Sequence, residues 1–202
     1  MKSFPRVFVF TVLLMTLCPG LYAAETGAAG QMDPALMEKM KALTSPSEAH
    51  KALEPFVGKW SYTGAFWMSP GEPAQEMTGT MQNEMIFGGR FLKQNIEGPW
   101  MGQTFQGVGF TGYDNIKGEY VSVWVDSIGT GIMTASGQYD PAAKTLTQSG
   151  VNSCPITGEK ARQGRSTWTV LDQEHNVYAS YSPGPDGKEF KVMEINYTRS
   201  VA

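Results

Sequence analysis

Two histidines, two cysteines and a scatter of carboxylates are the residues of this 202-residue chain that could carry catalysis or bind a metal. His50 and His175 are far apart, and neither has a second ligand at zinc spacing on one strand or helix, so no metal site and no catalytic set is expected. His175 sits in a polar segment, residues 172–176, and reads as a solvated turn residue. His50 lies on a short helix ahead of the first strand and reads as a residue that caps an element or hydrogen-bonds a loop. Cys154 in a loop could be a reactive thiol, but with no basic neighbour in sequence to lower its pKa it reads as a tolerated surface or half-buried cysteine. The carboxylates of interest are Glu84, Glu97, Asp114, Glu119, Asp126 and Glu194. Asp114 follows Tyr113 as a turn residue. A carboxylate taken inside a fold needs a partner, because isolated burial shifts its pKa or destabilises the fold. Arg90 and Arg199 are available as partners. Such a pair could anchor the carboxylate or hydroxyl of a bound molecule, or it could be a structural clamp at one end of the fold.

Aromatic residues offer a different chemistry. Trp60, Tyr62, Tyr113, Trp124 and Tyr197 could rim an elongated, mostly apolar cavity, with Asp126, Glu194 or an arginine orienting what binds there. Seven methionines outside the N-terminal region (Met68, Met77, Met81, Met85, Met101, Met133, Met193) suit either an adaptable lining or an ordinary core. They form no clustered copper motif. The formal net charge of −3, with no basic stripe, excludes a nucleic-acid surface.

The elements that must position these side chains are strands. From Gly58 onward, aromatic, β-branched and Thr-rich runs alternate with Gly, Pro, Asp and Asn clusters at the spacing of an all-β barrel or sandwich. Strands are predicted at 59–68, 76–86, 90–97, 103–113, 119–127, 130–139, 144–152, 162–171, 176–182 and 188–199. Ten strands with short connections and no internal helix predict a single antiparallel up-and-down barrel, whose closure removes exposed edges. In the fifth strand Tyr120, Ser122, Trp124 and Asp126 share an amphipathic face suited to a cavity wall. Val121, Val123 and Val125 share the opposite face, which reads as structural packing. Either face could be the inner one. In the last strand Met193, Ile195, Tyr197 and Arg199 share a face opposite Glu194 and Asn196.

The N-terminal part reads differently. Lys2 and Arg6, an apolar run over residues 7–18 too short to span a bilayer comfortably, and the small Ala23 form the pattern of a secretory signal peptide over residues 1–23. Residues 24–44 are then a flexible tether and a short helix, and 45–202 the barrel domain. Asp33-Pro34 starts the helix, with Leu36, Met37, Met40 and Leu43 on one face. Ser45 and Glu48, at capping-box spacing, start a second short one. The expected location is the periplasm or the exterior of a cell, with no stable membrane span after cleavage. Cys18 leaves with the signal, so no internal disulfide is expected.

Two features together resemble lipocalins and other calycins. Gly58-Lys59-Trp60 opens the first strand after a short helix, as the Gly-x-Trp of that group does, and Arg199 closes the last strand. The resemblance implies that Arg199 packs over Trp60 at the closed end, where cation–π attraction and guanidinium stacking favour the pair. A closer resemblance covers nearly all of the chain after the signal. Glu48-Ala49-His50, Val57-Gly58-Lys59-Trp60, Gly88-Gly89-Arg90-Phe91, Gly112-Tyr113-Asp114, Trp124-Val125-Asp126-Ser127, Pro185-Asp186-Gly187-Lys188 and Tyr197-Thr198-Arg199 resemble, in order, the bacterial family called domain of unknown function 1579 (DUF1579). This resemblance implies a lipocalin-like barrel and no particular activity. Nitrobindins, which are similar barrels, hold haem through a histidine. No predicted late strand here carries one, so no cofactor is expected.

The reading that follows is an exported barrel that takes a small hydrophobic or amphipathic molecule, its oligomeric state open. The candidate ligand residues are Trp60, Tyr62, Arg90, Tyr113, Trp124, Asp126, Glu194, Tyr197 and Arg199. The alternatives are an interaction protein with a side-chain-filled barrel, and an enzyme that uses a carboxylate with a raised pKa on the same barrel.

Overall fold

The computed structural model describes residues 32–154 and 157–200. The signal peptide expected at 1–23, with Cys18, and the first part of the expected tether lie outside the described residues. Helix α1 (Pro34–Thr44) starts where Asp33-Pro34 places it, with the Asp33 side chain accepting from the Ala35 N–H. Helix α2 (Glu48–Lys51) is one turn long, and a 3-10 turn (Glu54–Phe56) follows. The second start is capped at Ser47, not at Ser45 as the spacing suggested. His50 reaches back so that its Nδ1 accepts the Ser47 N–H at 3.0 Å, which is how a third-position side chain satisfies an orphan N-terminal donor.

Ten strands follow: β1 (Gly58–Phe66), β2 (Gln75–Ile86), β3 (Phe91–Trp100), β4 (Gln103–Asp114), β5 (Glu119–Asp126), β6 (Met133–Asp140), β7 (Thr145–Asn152), β8 (Arg162–Val170), β9 (His175–Pro183) and β10 (Glu189–Arg199). Every strand pairs antiparallel with its sequence neighbours, and β10 returns to β1 to close the barrel. Trp60 faces Arg199 and Tyr62 faces Tyr197 across that seam. Strand β3 runs through Gly98-Pro99, which the sequence suggested as a break. The β2 ladder stops at Glu97, so Pro99 is paired on the β4 side only, where proline is tolerated. His175 is the first residue of β9 rather than a turn residue, exposed and held by Asp172 at 3.0 Å.

The two ends differ. At one end the strand connections leave four residues each, at 87–90, 115–118, 141–144 and 171–174. Two of these turns are headed by an aspartate whose Oδ1 accepts two successive backbone N–H groups, Asp114 from Ile116 and Lys117 and Asp140 from Ala142 and Ala143. Those bonds pull the Asp114 carboxyl below its usual pKa. The same end is closed by α2 and the 3-10 turn, with Leu53 and Phe56 buried among barrel side chains. The other end carries the longer β1–β2, β5–β6 and β7–β8 loops. Among the described residues no helix is long and apolar enough to cross a membrane.

Alternation along the strands sorts the faces. Val123 and Val125 are exposed, whereas Tyr120 is buried. The valine face is therefore the outer surface of the barrel, a correction to its reading as packing. Its β-branched residues suit a pleated surface without being core.

Candidate functional site

The closed end is a packed floor. Phe56 is fully buried and its ring lies 4.0 Å from that of Trp168. The Phe56 carbonyl accepts from Trp60 Nε1 at 3.0 Å and from Asn83 Nδ2 at 2.8 Å, tying the 3-10 turn to β1 and β2. Trp168 Nε1 donates to Asn176 at 2.7 Å. Tyr120 donates to the Ala49 carbonyl at 2.7 Å, and burial beside Tyr113 and Tyr139 pushes its phenol up to about 12. Leu92, Leu146 and Trp60 complete this layer. Each indole and phenol in it has a polar partner, as burial of such groups requires.

One residue pair higher along the strands, the inner wall turns polar. Gln94 on β3 accepts from Thr111 on β4 at 3.2 Å. The Thr111 hydroxyl lies 2.9 Å from that of Ser122 on β5, and Ser122 donates to Gln148 on β7 at 2.8 Å. Gln148 faces Ser166 on β8, and Ser166 lies beside the hydroxyl of Tyr178 on β9. Tyr197 on β10 and Tyr62 on β1, with rings 5.8 Å apart, continue the wall. Burial raises the pKa of all three phenols, so each stays a neutral donor.

Above this belt the inner face mixes apolar side chains with Ser180 on β9 and, nearer the rim, Asp126, Asn152 and Arg162. Phe105, Trp124, Met133 and Met193 are partly buried, with Phe66 and Trp100 edge to face beyond them. Two of these rings lie on glycines. A Cβ on Gly107 would stand 2.2 Å from Trp124, and one on Gly98 would stand 2.4 Å from the Tyr62 hydroxyl. Gly164 on β8 is the opposite case. Its inward Cβ would meet only the Tyr181 carbonyl, at 3.8 Å. Ser122, Ala135, Ser166, Ser180 and Met193 alternate with outward residues on closed strands, yet keep partial exposure. This is the exposure that inward residues have beside a lumen their side chains do not fill, on the β5–β9 side.

The residues suggested by sequence fall in four places. Tyr62, Trp124 and Tyr197 line the barrel interior. Trp60, Tyr113, Arg90 and Arg199 belong to the closed end and not to a cavity rim. Arg90 donates to the Thr44 carbonyl at 3.0 and 3.2 Å and to Phe87, capping the C-terminus of α1. Tyr113 packs edge-on against His50 and Tyr120. Arg199 stacks on Trp60 and donates to Val57, as the calycin resemblance implied. Asp126 stands at the open rim, and its oxygens are taken by Trp124 Nε1 at 3.0 Å and by the Ile128 and Gly129 N–H groups. Glu194 alternates with buried Ile195, so it stands on the outer face, where it is ion-paired with Lys191. Both arginines are held chiefly by backbone carbonyls, in place of the Arg–carboxylate clamp expected.

The belt residues Gln94, Thr111, Gln148, Ser166 and Tyr178 were not singled out from the sequence. Short uncharged polar side chains at alternate positions are equally common on an outer face, so only register tells them apart. Among the described residues no group of three His, Cys, Asp or Glu is placed to hold a metal.

Comparison with known proteins places this geometry in context. The model of a family described as protein of unknown function (DUF1579) matches residues 45–199. No curated protein matches the chain. Among solved structures the chain is similar to the crystal structure of Rv2717c from M. tuberculosis, at 15% identity over 78% of this chain and 100% of that one, with a TM-score of 0.59. A redesigned beta barrel, b11L5F_LGL, aligns at 13% identity over 78% of this chain and 100% of its own, with a TM-score of 0.39. At 15% identity the likeness to Rv2717c is one of fold.

Proposed function

This chain belongs to the DUF1579 family, and we propose that its barrel is a vessel for one small, largely apolar molecule that enters by the end opposite the N-terminal plug. The observation that carries the reading is the partial exposure of Ser122, Ala135, Ser166, Ser180 and Met193 on the inner face of closed strands, beside the open space at Gly164. Removal of apolar ligand surface from water against Phe105, Trp124, Met133 and Met193 supplies affinity, and the hydrogen-bonding belt supplies orientation.

The acid–base alternative has less support. Among the described residues no Asp or Glu is buried, and the inward one, Asp126, is spent on Trp124 and loop amides. A general acid or base must stand within reach of a bound molecule and be free to pass it a proton, and Asp126 is held at the rim by those bonds.

The proposal includes export. Residues 1–23 act as a cleaved signal, and the working protein starts at Ala24. N-terminal sequencing of protein recovered from cells that express the full chain checks this part. A start at Ala24 supports it, and a start at Met1 in the cytoplasmic fraction refutes it.

The binding test uses Nile red, a neutral apolar dye, followed by fluorescence and native mass spectrometry. One dye per chain is expected, with loss of binding in Gly164→Phe and in Ala135→Phe, each of which would project a ring into the lumen. No dye bound, or dye binding unchanged in two folded variants, overturns the reading.

A further inference from the structure

If a molecule occupies the lumen, the wall decides which polar group it carries. The belt of Gln94, Thr111, Ser122, Gln148, Ser166 and Tyr178 lies deep, and the apolar side chains of Phe105, Trp124, Met133 and Met193 lie between it and the open end. The belt holds no charge. The cations around the lumen are placed elsewhere and are engaged. Arg90 and Arg199 hold backbone carbonyls at the closed end. Arg162 stands at the rim, with its guanidinium on the Pro183 carbonyl and Cys154 Sγ. A carboxylate lowered to the belt would lose its water and meet no cation, a cost that hydroxyls and amides only partly offset. A hydroxyl or carbonyl would meet donors and acceptors of its own kind. Gln94 uses its side-chain oxygen for Thr111, and its amide nitrogen makes no hydrogen bond among the described residues.

We propose, on the lumen reading above, that the site takes an uncharged amphipathic molecule, an apolar chain or ring ending in a hydroxyl or carbonyl. That molecule enters polar end first, and the site rejects the matching carboxylate. The selectivity is a property of the belt: Ser122 already donates to Gln148, and Gln148 to the Tyr120 carbonyl, so what they still offer at that depth is a hydroxyl lone pair and one amide N–H, with no neighbouring charge to compensate an anion.

Displacement of bound Nile red by a matched pair, 1-decanol and decanoate, tests this on the full chain. At neutral pH the alcohol is expected to displace the dye at a concentration lower by roughly tenfold or more, the size of one unsatisfied charge–dipole mismatch. Decanoate should compete better as the pH falls toward the ordinary carboxylic range, because only its protonated form fits. The double variant Ser122→Ala with Gln148→Leu should keep the dye and need several-fold more decanol to displace it, with decanoate at neutral pH still the weaker competitor. Equal or stronger displacement by decanoate at neutral pH overturns the inference, as does decanol displacement that is unchanged in the double variant. Failure of the dye to bind the unmodified chain overturns the lumen reading itself, and this inference with it.

Discussion

The guanidinium of Arg199 lies 4.2 Å over the ring of Trp60 and joins the last strand to the first. Its Nη1 donates to the Val57 carbonyl at 2.8 Å and its Nε to that of Gln173 at 2.8 Å, so one side chain binds β1, β10 and the β8–β9 turn. Gly58 makes room for it. A Cβ there would stand 2.4 Å from Nη1, and the Gly58 φ of +132° is one that side chains rarely adopt. Arg199→Ala is expected to cost about 2 kcal/mol, the middle of what a cation–π contact and charged hydrogen bonds contribute at a partly exposed site. Lysine, which lacks the planar fork, should recover less than half. Gly58→Ala should cost at least as much, and in the Arg199→Ala background it should lose the part that comes from the clash with the guanidinium and keep the part that comes from the +132° φ, so the double variant falls short of the sum. Urea unfolding of the two single variants and the double variant measures this. Full additivity would show that the glycine and the arginine act separately.

His50 gives the fold a pH dependence. Burial, then the nearby Arg90 cation, holds its pKa below the usual value. The folded state therefore binds fewer protons than the unfolded chain between that lowered pKa and about 6.5. In that window stability rises with pH and is lost as pH falls below about 6.5. The carboxyls of Asp114, Asp172 and Glu189, all held below their usual range, act at lower pH. His50→Gln keeps a third-position acceptor for the Ser47 N–H and removes the proton. Urea midpoints measured from neutral to mildly acidic pH should fall for the native chain and stay level for the variant. Equal slopes would assign the acid sensitivity to other groups.

Much of the scaffold was legible in the sequence, for local reasons. Period-two runs broken by Asp, Gly and Pro located ten strands, because the turn chemistry is local: Asp114 and Asp140 build their turns from their own neighbours. Trp60 and Arg199 were legible as a pair through the resemblance to calycins, and the register of β1 with β10 sets them opposite one another. The site was less so. Alternation divides Tyr120 and Ser122 from Val121 and Val123, but it does not say which face is inner. Arg90 was expected at a cavity, and it instead holds the end of α1, a contact set by where the helix lies across the closed end. The belt is assembled from six strands, and its members meet only through register, which no single stretch of sequence contains.

Phe56 fixes the plug. It is fully buried, stacked on Trp168, and its carbonyl receives both Trp60 and Asn83. Phe56→Ala would leave a cavity under the barrel floor at a cost of about 3–5 kcal/mol. Phe56→Leu, which keeps much of the volume, should cost less than half of that. Denaturant midpoints with an unchanged m-value are the expected readout. A small loss for alanine would mean that the floor stands without the plug.

The two kinds of inner glycine separate a filled wall from an open one. At Gly107 a methyl group would stand 2.2 Å from Trp124 Cζ2 and 2.9 Å from Ile96 Cγ2, and Trp124 is fixed by its bond to Asp126. Gly107→Ala must therefore displace the indole, and overpacking of this kind costs about 2 kcal/mol. The shift should appear in the tryptophan fluorescence. At Gly164 the nearest atom is 3.8 Å away, so Gly164→Ala adds no strain and removes backbone freedom from the unfolded chain. It should be neutral or stabilising by about 0.5 kcal/mol. The same chemical change, on the inner face of strands in one barrel, thus has opposite signs at the two positions if space lies inside β8. Equal destabilisation at both would mean that the β8 side of the barrel is as full as the side where Trp124 lies.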